Sequence, residues 1–382
     1  MMVEVQKKRG RAVVAMSGGV DSSVAALLLK NQGYDVIGMT LRLWSSDEDS
    51  EVGEVHNKRC CSVEDVEDAR NVCDVLGIPH YFVNFEKEFQ EHVVNYFIRE
   101  YDSGRTPHPC LACNDKIKFD FLLRRAMFLE ADYIATGHYA RLDRSSSGVK
   151  LLRGVDSGKD QSYVLFTLNQ PELQKLLFPV GEYTKKEIRS LALDGSLHVA
   201  DKPDSQEICF IPSGNYREFL QERIKARPGS FVDTSGKVLG DHPGIQFFTV
   251  GQRRRLGLKN NGLEPKFVLK IDNQTNEITL GEESELYRKR FSFKNLSLTH
   301  ESYRSEVIDI FARIRYKAEE SQATAFFNED SGTVEFKDPQ RAITPGQPVV
   351  FYKGEELLGG GIIENVLDDG PSLKQSKMLT TV

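Results

Sequence analysis

The sequence lacks any apolar run long enough to cross a bilayer. Its longest, such as Val24 to Leu29, fall far short of the ~20 residues a spanning helix needs. The basic N-terminus, Met1 to Arg11, has no apolar leader core and passes straight into a strand-like run and a Gly-rich turn. The chain is therefore read as cytoplasmic, with no membrane partner. Cysteine is scarce: Cys60, Cys61, Cys73, Cys110, Cys113 and Cys209 make six in 382 residues. That is too few for a disulfide scaffold, so these residues are packing groups, metal ligands or reactive thiols. There is no excess of positive charge either. The formal net charge of −6 argues by its sum against nucleic-acid binding, although a basic face can sit on an acidic protein. Long-period repeats and low-complexity segments are also missing. The remaining composition, 40% hydrophobic and 28% charged, is that of a soluble globular protein. At 382 residues the chain exceeds one ordinary core, and two or three domains are expected.

The first part alternates strand and helix signals. Ala12 to Met16 reads as a strand, Asp21 to Asn31 as a helix closed by Gly33, and Val36 to Leu43 as a second strand. Residues 63–76 carry a helical apolar stripe at Val66, Ala69, Cys73 and Leu76, which places Cys73 in a core. Tyr81 to Phe85 is strand-like, 115–130 helical, and Tyr133 to Thr136 a further strand. Such alternation predicts an α/β domain with a parallel sheet, with ligands at the carboxyl ends of its strands. From about residue 225, short strand-like runs alternate with Gly, Pro, Asn and Asp. These predict a small β-rich central domain followed by a C-terminal β-barrel. The expected boundaries are 1–218, 219–288 and 289–374, with a frayed tail at 375–382.

Between the first strand and helix lies Ala15-Met16-Ser17-Gly18-Gly19-Val20-Asp21-Ser22-Ser23. Gly18 and Gly19 allow a sharp turn and close approach to an anion. The amides of the turn and of the helix N-terminus then converge on one place, which favours phosphate. Ser22 and Ser23 add hydroxyl donors; Asp21 is placed to cap the helix or to hold Mg²⁺. The Gly spacing and the missing Gly-Lys pair exclude the P-loop, and the dinucleotide fingerprint does not fit. The segment resembles the Ser-Gly-Gly-x-Asp-Ser pyrophosphate loop of the ATP-pyrophosphatase superfamily, whose members split ATP between its α and β phosphates.

Thr106-Pro-His108-Pro109-Cys110-Leu-Ala-Cys113-Asn114 sits between two helices, and its two prolines suggest a stiff loop presenting the thiols. Cys209 lies in a second non-periodic segment, Asp204 to Phe210. Taken alone, Cys110-x-x-Cys113 fits half of a zinc site completed by Cys60 or Cys61, a redox pair, or part of an iron–sulfur site.

Further segments carry a resemblance over nearly the whole chain. They are Ala135-Thr-Gly-His-Tyr139, Lys159-Asp-Gln-Ser-Tyr163, Leu177-Phe-Pro-Val-Gly181, Ile208-Cys-Phe-Ile211, Thr249-Val-Gly-Gln-Arg253, Arg313-Ile-Arg-Tyr316, Thr344-Pro-Gly-Gln347 and Leu358-Gly-Gly-Gly-Ile362. In this order, together with the two loops above, they resemble the tRNA-specific 2-thiouridylases. The resemblance implies a tRNA-uridine 2-sulfurtransferase that uses ATP and Mg²⁺, with a persulfide sulfur carrier or cysteine desulfurase as partner. It implies ATP at Ala15, Met16, Ser17, Gly18, Gly19, Val20, Asp21, Ser22, Leu41 and Gly137. Cys113 would be the nucleophile and Cys209 the persulfide carrier, the two passing through a disulfide. His108, Pro109 and Cys110 would approach the target base, and His138, Lys159, Asp160, Gln161, Arg315, Tyr316 and Gln347 the tRNA. Two positions depart from the family's common pattern: His108 stands where Asn is frequent, and Cys110 where many members have Asp. With Cys113 and Cys209, Cys110 would complete a three-thiolate set able to hold a [4Fe–4S] cluster.

Gln252-Arg253-Arg254-Arg255 and Arg288-Lys289-Arg290 are further candidate phosphate contacts, with solvated charged faces as the alternative. Rival functions are another AMP-forming ligase of the superfamily, a tRNA lysidine synthetase, or a non-catalytic RNA-binding or iron–sulfur protein.

Overall fold

A computed structural model describes residues 9–44, 63–204, 208–211, 215–257, 266–305 and 307–368. Cys60, Cys61, the tail at 375–382 and residues 205–207 of the Cys209 segment lie outside the described residues. The chain divides into two units. One comprises residues 1–94, 109–214 and 355–357, and the other residues 95–108, 215–354 and 358–382.

The first unit is built on a five-stranded parallel sheet. Its strands are β1 (Arg11–Ala15), β2 (Asp35–Arg42), β3 (His80–Asn84), β4 (Tyr133–Ala135) and β7 (Leu176–Leu177), in the order β3-β2-β1-β4-β7. The β5 (Ala140–Ser145) and β6 (Gly148–Arg153) hairpin lies between β4 and β7 in sequence. β1 is central, and Ala12, Val13 and Val14 are fully buried. That is the continuous apolar pattern expected of a parallel strand covered on both faces. Helices α1 (Val20–Asn31) and α2 (Val63–Leu76) contribute to the same core through Val24, Ala25, Leu29, Ala69, Val72 and Cys73. Cys73 is a packing residue, as its place on the stripe indicates. A Cβ on Gly38 of β2 would stand 2.5 Å from its sulfur. Burial pushes the Cys73 thiol up to about 12, so it stays protonated.

The thiol-bearing segment differs from expectation. A helix begins at Pro109, runs one α-turn to Ala112, continues as a π-helix over Cys113–Phe121 and returns to α over Leu122–Met127. Cys110 and Cys113 are therefore on a helix, not a loop. The proline that suggested a stiff loop occupies the first helical position, where its fixed φ fits and its missing N–H costs nothing. Cys113 opens the π segment, a local widening that recurs at functional positions.

The second unit contains two β structures. A four-stranded sheet has the order β10 (Phe267–Asp272), β11 (Glu277–Gly281), β8 (Gly229–Val232), β9 (Val238–His242), with β11 and β8 parallel. Strands β12 (Tyr287–Leu298), β15 (Ser331–Arg341), β14 (Ser321–Phe327), β13 (Val307–Arg313), β16 (Pro348–Lys353) and β17 (Glu356–Leu367) follow one another round a sheet that the β12–β17 pairing closes into a barrel. Phe291, Phe293, Phe327, Phe336 and Phe351 fill it. Alternation along β12 and β15 sends every second residue inward, so closure leaves no open edge.

Candidate functional site

The glycine loop stands at the carboxyl end of β1, tied to β2 by Met16 N–H donating to Met39 O at 2.8 Å. Gly18 has φ +71°, and a Cβ there would lie 2.2 Å from the Asp65 carbonyl oxygen. Only glycine satisfies both demands. Gly137 performs the matching service from the end of β4, since a Cβ on it would meet Ser22 N at 2.7 Å. The α1 ladder begins with Ser23 N–H donating to Gly19 O at 3.3 Å. The amides of Val20, Asp21 and Ser22 precede that bond at the positive end of the helix. Ala15 is half-buried at the end of β1, and Leu41 is buried in β2.

Three expected side-chain roles change. Ser22 and Ser23 donate to Gly19 O at 3.1 and 2.9 Å, and Ser17 N–H donates to the Ser22 hydroxyl at 3.1 Å. These hydroxyls brace the loop; short polar side chains in a first turn reach back to the cap carbonyl. Asp21 does not cap α1: Gly19 occupies the cap position without a side-chain bond. Instead Asp21 receives Lys185 Nζ on both oxygens, at 2.7 and 2.8 Å, and the Tyr139 hydroxyl at 2.7 Å. Three of its roughly four acceptor sites are taken by these partners.

A second cation braces the loop from outside. Lys202 Nζ donates to Gly18 O at 3.0 Å, Asp65 at 2.6 Å and Asp68 at 2.5 Å. Burial would raise the Asp68 carboxyl, but Lys202 and His198 hold it below the usual carboxylate range. Asp204, at the head of the Cys209 segment, takes Lys159 and Lys185 at 2.7 Å each and Arg189 at 3.4 Å. Lys185 and Lys202 were not singled out in the sequence, and Tyr139 and Asp204 stood there only within quoted segments. Lys185 and Asp21 are 164 residues apart, and Lys202 and Gly18 184; no local pattern signals such partners.

Cys110 is exposed, while Cys113 and Cys209 are partly buried. Among the described residues no three His, Cys, Asp or Glu side chains gather as a metal ion requires. The three-thiolate set of Cys110, Cys113 and Cys209 is thus not assembled, and a [4Fe–4S] cluster does not fit this arrangement. Phe210, next to Cys209, is 1% exposed and packs on Phe89 and Trp44 at ring separations of 5.7 and 6.3 Å.

Several residues expected at tRNA hold neighbouring structure. Asp160 is buried and accepts from Gly154 N–H and from the amide and hydroxyl of Ser162. Gln161 Oε1 accepts from Tyr139 N–H at 3.0 Å. His138 is buried 2.7 Å from the Thr136 hydroxyl, and burial drives its pKa well below the ordinary value.

In the second unit, Gln347 Nε2 donates to the carbonyls of Thr106 and Pro107 at 3.0 and 3.2 Å. Thr106 N–H donates to Pro345 O at 3.0 Å, and a Cβ on Gly346 would lie 2.8 Å from that nitrogen. The Thr344–Gln347 turn thus grips the chain leading into His108, whose imidazole burial pushes down to about 4. Arg315 donates to Ala342 O and the Thr344 hydroxyl, and Tyr316 lies under the Arg313 guanidinium at 5.9 Å. Arg253, Arg254 and Arg255 are exposed, while Arg288, Lys289 and Arg290 are half-buried in β12.

A parallel sheet in this strand order, with a pyrophosphate-type loop at the end of its first strand and two β modules after it, defines an α/β nucleotide-using protein of the HUP class. Family descriptions match in the same order. They are the tRNA methyl transferase HUP domain over residues 10–213, its PRC-barrel domain over 217–282 and the aminomethyltransferase beta-barrel domain over 288–363. A tRNA-specific 2-thiouridylase MnmA of Carboxydothermus hydrogenoformans is 49% identical over 94% of this chain and 99% of its own length. The protein of that name from Natranaerobius thermophilus is 47% identical over 92% of this chain and 97% of its own. The chain belongs to the tRNA-specific 2-thiouridylase family. A solved 4-thiouridine synthetase–RNA complex with bound ATP superposes with a TM-score of only 0.32, at 19% identity over 56% of this chain and 50% of that one. No described helix is long and apolar enough to cross a membrane.

Proposed function

We propose that the protein installs 2-thiouridine at the wobble position of tRNA, at the expense of ATP. The observation that carries this reading is the braced glycine loop at the end of β1 in a chain 49% identical to a tRNA-specific 2-thiouridylase over 94% of its length. In this reading residues 1–218 form the catalytic domain, 219–288 the central domain and 289–374 the tRNA-binding barrel. The loop from Ala15 to Ser22, with Leu41 and Gly137, receives ATP. Its helix-start amides face the departing pyrophosphate, with Lys185 and Lys202 as the nearby cations.

A uridine C2 oxygen is a poor leaving group. Its attack on the α-phosphorus breaks the bond to pyrophosphate and leaves an O-adenylated base. Cys209 carries the incoming sulfur as a persulfide loaded by a sulfur carrier or cysteine desulfurase. The Cys113 thiolate attacks the inner sulfur, forming the Cys113–Cys209 disulfide and releasing hydrosulfide. Hydrosulfide adds to C2, AMP departs, and an external thiol reduces the disulfide. Mg²⁺, when bound, would screen the charge of the nucleotide's phosphates. The target must leave its stack, which an anticodon loop makes easy. His108, Pro109 and Cys110 border that base. Lys159, Arg315, Tyr316 and the exposed Arg253 to Arg255 meet the tRNA; His138, Asp160, Gln161 and Gln347 hold the loops that do so.

The test is mass spectrometry of wobble uridines after incubating the pure protein with tRNA, ATP, Mg²⁺ and a persulfide donor. The expected product is 2-thiouridine with one AMP and one pyrophosphate each, abolished by Cys113→Ser or Cys209→Ser. Pyrophosphate release with no thiolated base would instead favour an AMP-forming ligase.

A further inference from the structure

Cys110 and Cys113 stand three residues apart at the start of one helix: Pro109–Ala112 is its first turn, and Cys113 opens the π stretch that follows. Leu111 and Asn114, also three apart, are buried at 6% and 3% exposure, and Asn114 Nδ2 donates to Val164 O at 3.2 Å. The helix is anchored along that row, and the two cysteines form the row beside it. Exposure falls along the cysteine row: Cys110 is exposed and Cys113 partly buried. Cys209 is partly buried as well. Among the described residues no group of three possible metal ligands includes any of these thiols.

Helix geometry sets Cα atoms three residues apart at about 5 Å from each other. That falls inside the ~4.4–6.8 Å that a disulfide spans. The Cβ atoms, about 5–6 Å apart, must close by only about 1–2 Å. A first helical turn can supply that movement, because its N–H groups have no intrahelical acceptors and Pro109 has no N–H at all. A Cys110–Cys113 bond therefore needs no other segment to move. The proposed reaction, by contrast, leaves a disulfide between Cys113 and Cys209, two partly buried sulfurs. Exchange requires access to a sulfur, so a bulky reductant meets that disulfide poorly. An exposed thiol on the same helix meets it as an intramolecular partner.

We propose that Cys110 is the resolving thiol of the catalytic cycle, moving the spent disulfide from Cys113–Cys209 to the surface pair Cys110–Cys113. This rests on the persulfide-dependent thiolation proposed above. The Cys110 thiolate attacks Cys113 Sγ. The Cys110–Cys113 bond forms as the Cys113–Cys209 bond breaks, and Cys209 leaves as a thiolate that takes a proton from water. This step involves no net oxidation. An external dithiol then gives two electrons and two protons to the Cys110–Cys113 disulfide and becomes a disulfide itself. Cys209 is thus free to be reloaded with sulfur before reduction is complete, and Cys113 cannot discharge it until reduction has taken place.

The experiment takes three readouts on the full chain. In the first, protein without tRNA is oxidised with diamide, quenched with iodoacetamide and mapped by non-reducing peptide mass spectrometry, with buried Cys73 as the unreactive control. In the wild type the Cys110–Cys113 linkage exceeds Cys113–Cys209 at least about fivefold and Cys209 is alkylated. Cys110→Ser carries Cys113–Cys209 instead, and Cys209→Ser still forms Cys110–Cys113. In the second, the oxidised proteins are reduced by thioredoxin or by dithiothreitol. Cys110→Ser slows thioredoxin at least about tenfold and dithiothreitol less than about threefold, whereas a merely structural role slows both alike. The third supplies tRNA, ATP, Mg²⁺, a persulfide donor and thioredoxin as the only reductant. The wild type makes many 2-thiouridines per chain, and Cys110→Ser no more than about one. A wild type held at Cys113–Cys209 with Cys110 alkylated, a Cys110–Cys209 linkage, or equal slowing of both reductants overturns the proposal. So does repeated turnover by Cys110→Ser under thioredoxin alone. A wild type that shows the exchange and the selective reduction but makes no 2-thiouridine overturns the proposed function and leaves the exchange standing.

Discussion

The two units hold their functional segments by opposite means. In the first, the glycine loop and Asp204 are held by charged side chains: Lys202 on Asp65 and Asp68, Lys185 on Asp21 and Asp204. In the second, Thr106 and Pro107 are held by uncharged contacts: Gln347 to their two carbonyls, Pro345 O to Thr106 N–H, and the Thr106 hydroxyl on Thr249 at 3.2 Å. A charged bracket is strong, long-ranged and open to exchange when a polyanion arrives. A neutral bracket is short-ranged, indifferent to charge and keeps its geometry throughout. In the proposed function, the first suits a loop that receives a nucleotide, and the second a segment that borders the target base.

The largest effect should come from the position with no alternative residue. Gly18→Ala forces a Cβ to 2.2 Å from Asp65 O at φ +71° and should cut tRNA-dependent pyrophosphate release by about 100-fold or more. Circular dichroism is expected to show an intact fold. Near-normal release would mean that α2 yields easily and that the loop is not held from outside.

Lys202→Met removes the charged bracket while keeping the aliphatic stem. It takes the ammonium from Asp65 and Asp68, which are partly buried, and leaves Asp68 with His198. Allowing for solvent screening, the KM for ATP should rise about tenfold and the thermal midpoint fall by several degrees. Raising salt should reproduce part of the KM change in the wild type and little of it in the variant. Equal salt sensitivity in both would remove the charged bracket from the comparison.

Gln347→Ala tests the neutral side. Losing two hydrogen bonds to Thr106 and Pro107 should lower thiouridine formation about five- to tenfold at unchanged KM for ATP, with no change in the salt dependence of tRNA binding. A reduced salt slope would make Gln347 part of a phosphate-binding surface instead.

The smallest effect is on pH dependence. His108 is held down to about 4 from 6.5, so between those values the unfolded chain takes up a proton that the folded chain refuses. Its contribution is complete above pH 6.5 and is lost as the pH falls toward 4. His138, shifted the same way, adds to it. The carboxyls of Asp68 and Asp204 are shifted down, and their contribution is present above the ordinary carboxylate value and lost only as the pH falls through their lowered folded values. Calorimetry from pH 7 to 5 should therefore show a falling midpoint, with the slope flattened by His108→Asn. A slope unchanged in that variant would assign the loss elsewhere.

Much of the site was legible because its logic is local. A strand, two glycines and a helix start declare a tight strand-to-helix turn within eight residues, and Cys73 declares its burial by its place on one helical stripe. The misreadings were also local. Two prolines near Cys110 suggested a loop, yet Pro109 opens a helix, because a proline at the first helical position looks the same in sequence as one that stiffens a turn. Asp21 has the composition of a cap or a metal ligand, and its actual partners were out of sight.

The sequence by itself determined the parallel sheet, the β-rich second half and the phosphate-type loop, since strand periodicity, glycine freedom and helix-start chemistry act over a few residues. Tertiary structure alone decided which charges meet. Lys185 reaches Asp21 across 164 residues, and Lys202 reaches Gly18 across 184. Their pairing follows from the β3-β2-β1-β4-β7 order, which gathers the strand ends that carry these loops. Coulombic partners are chosen by distance in space, and distance in space is fixed only once the sheet has formed.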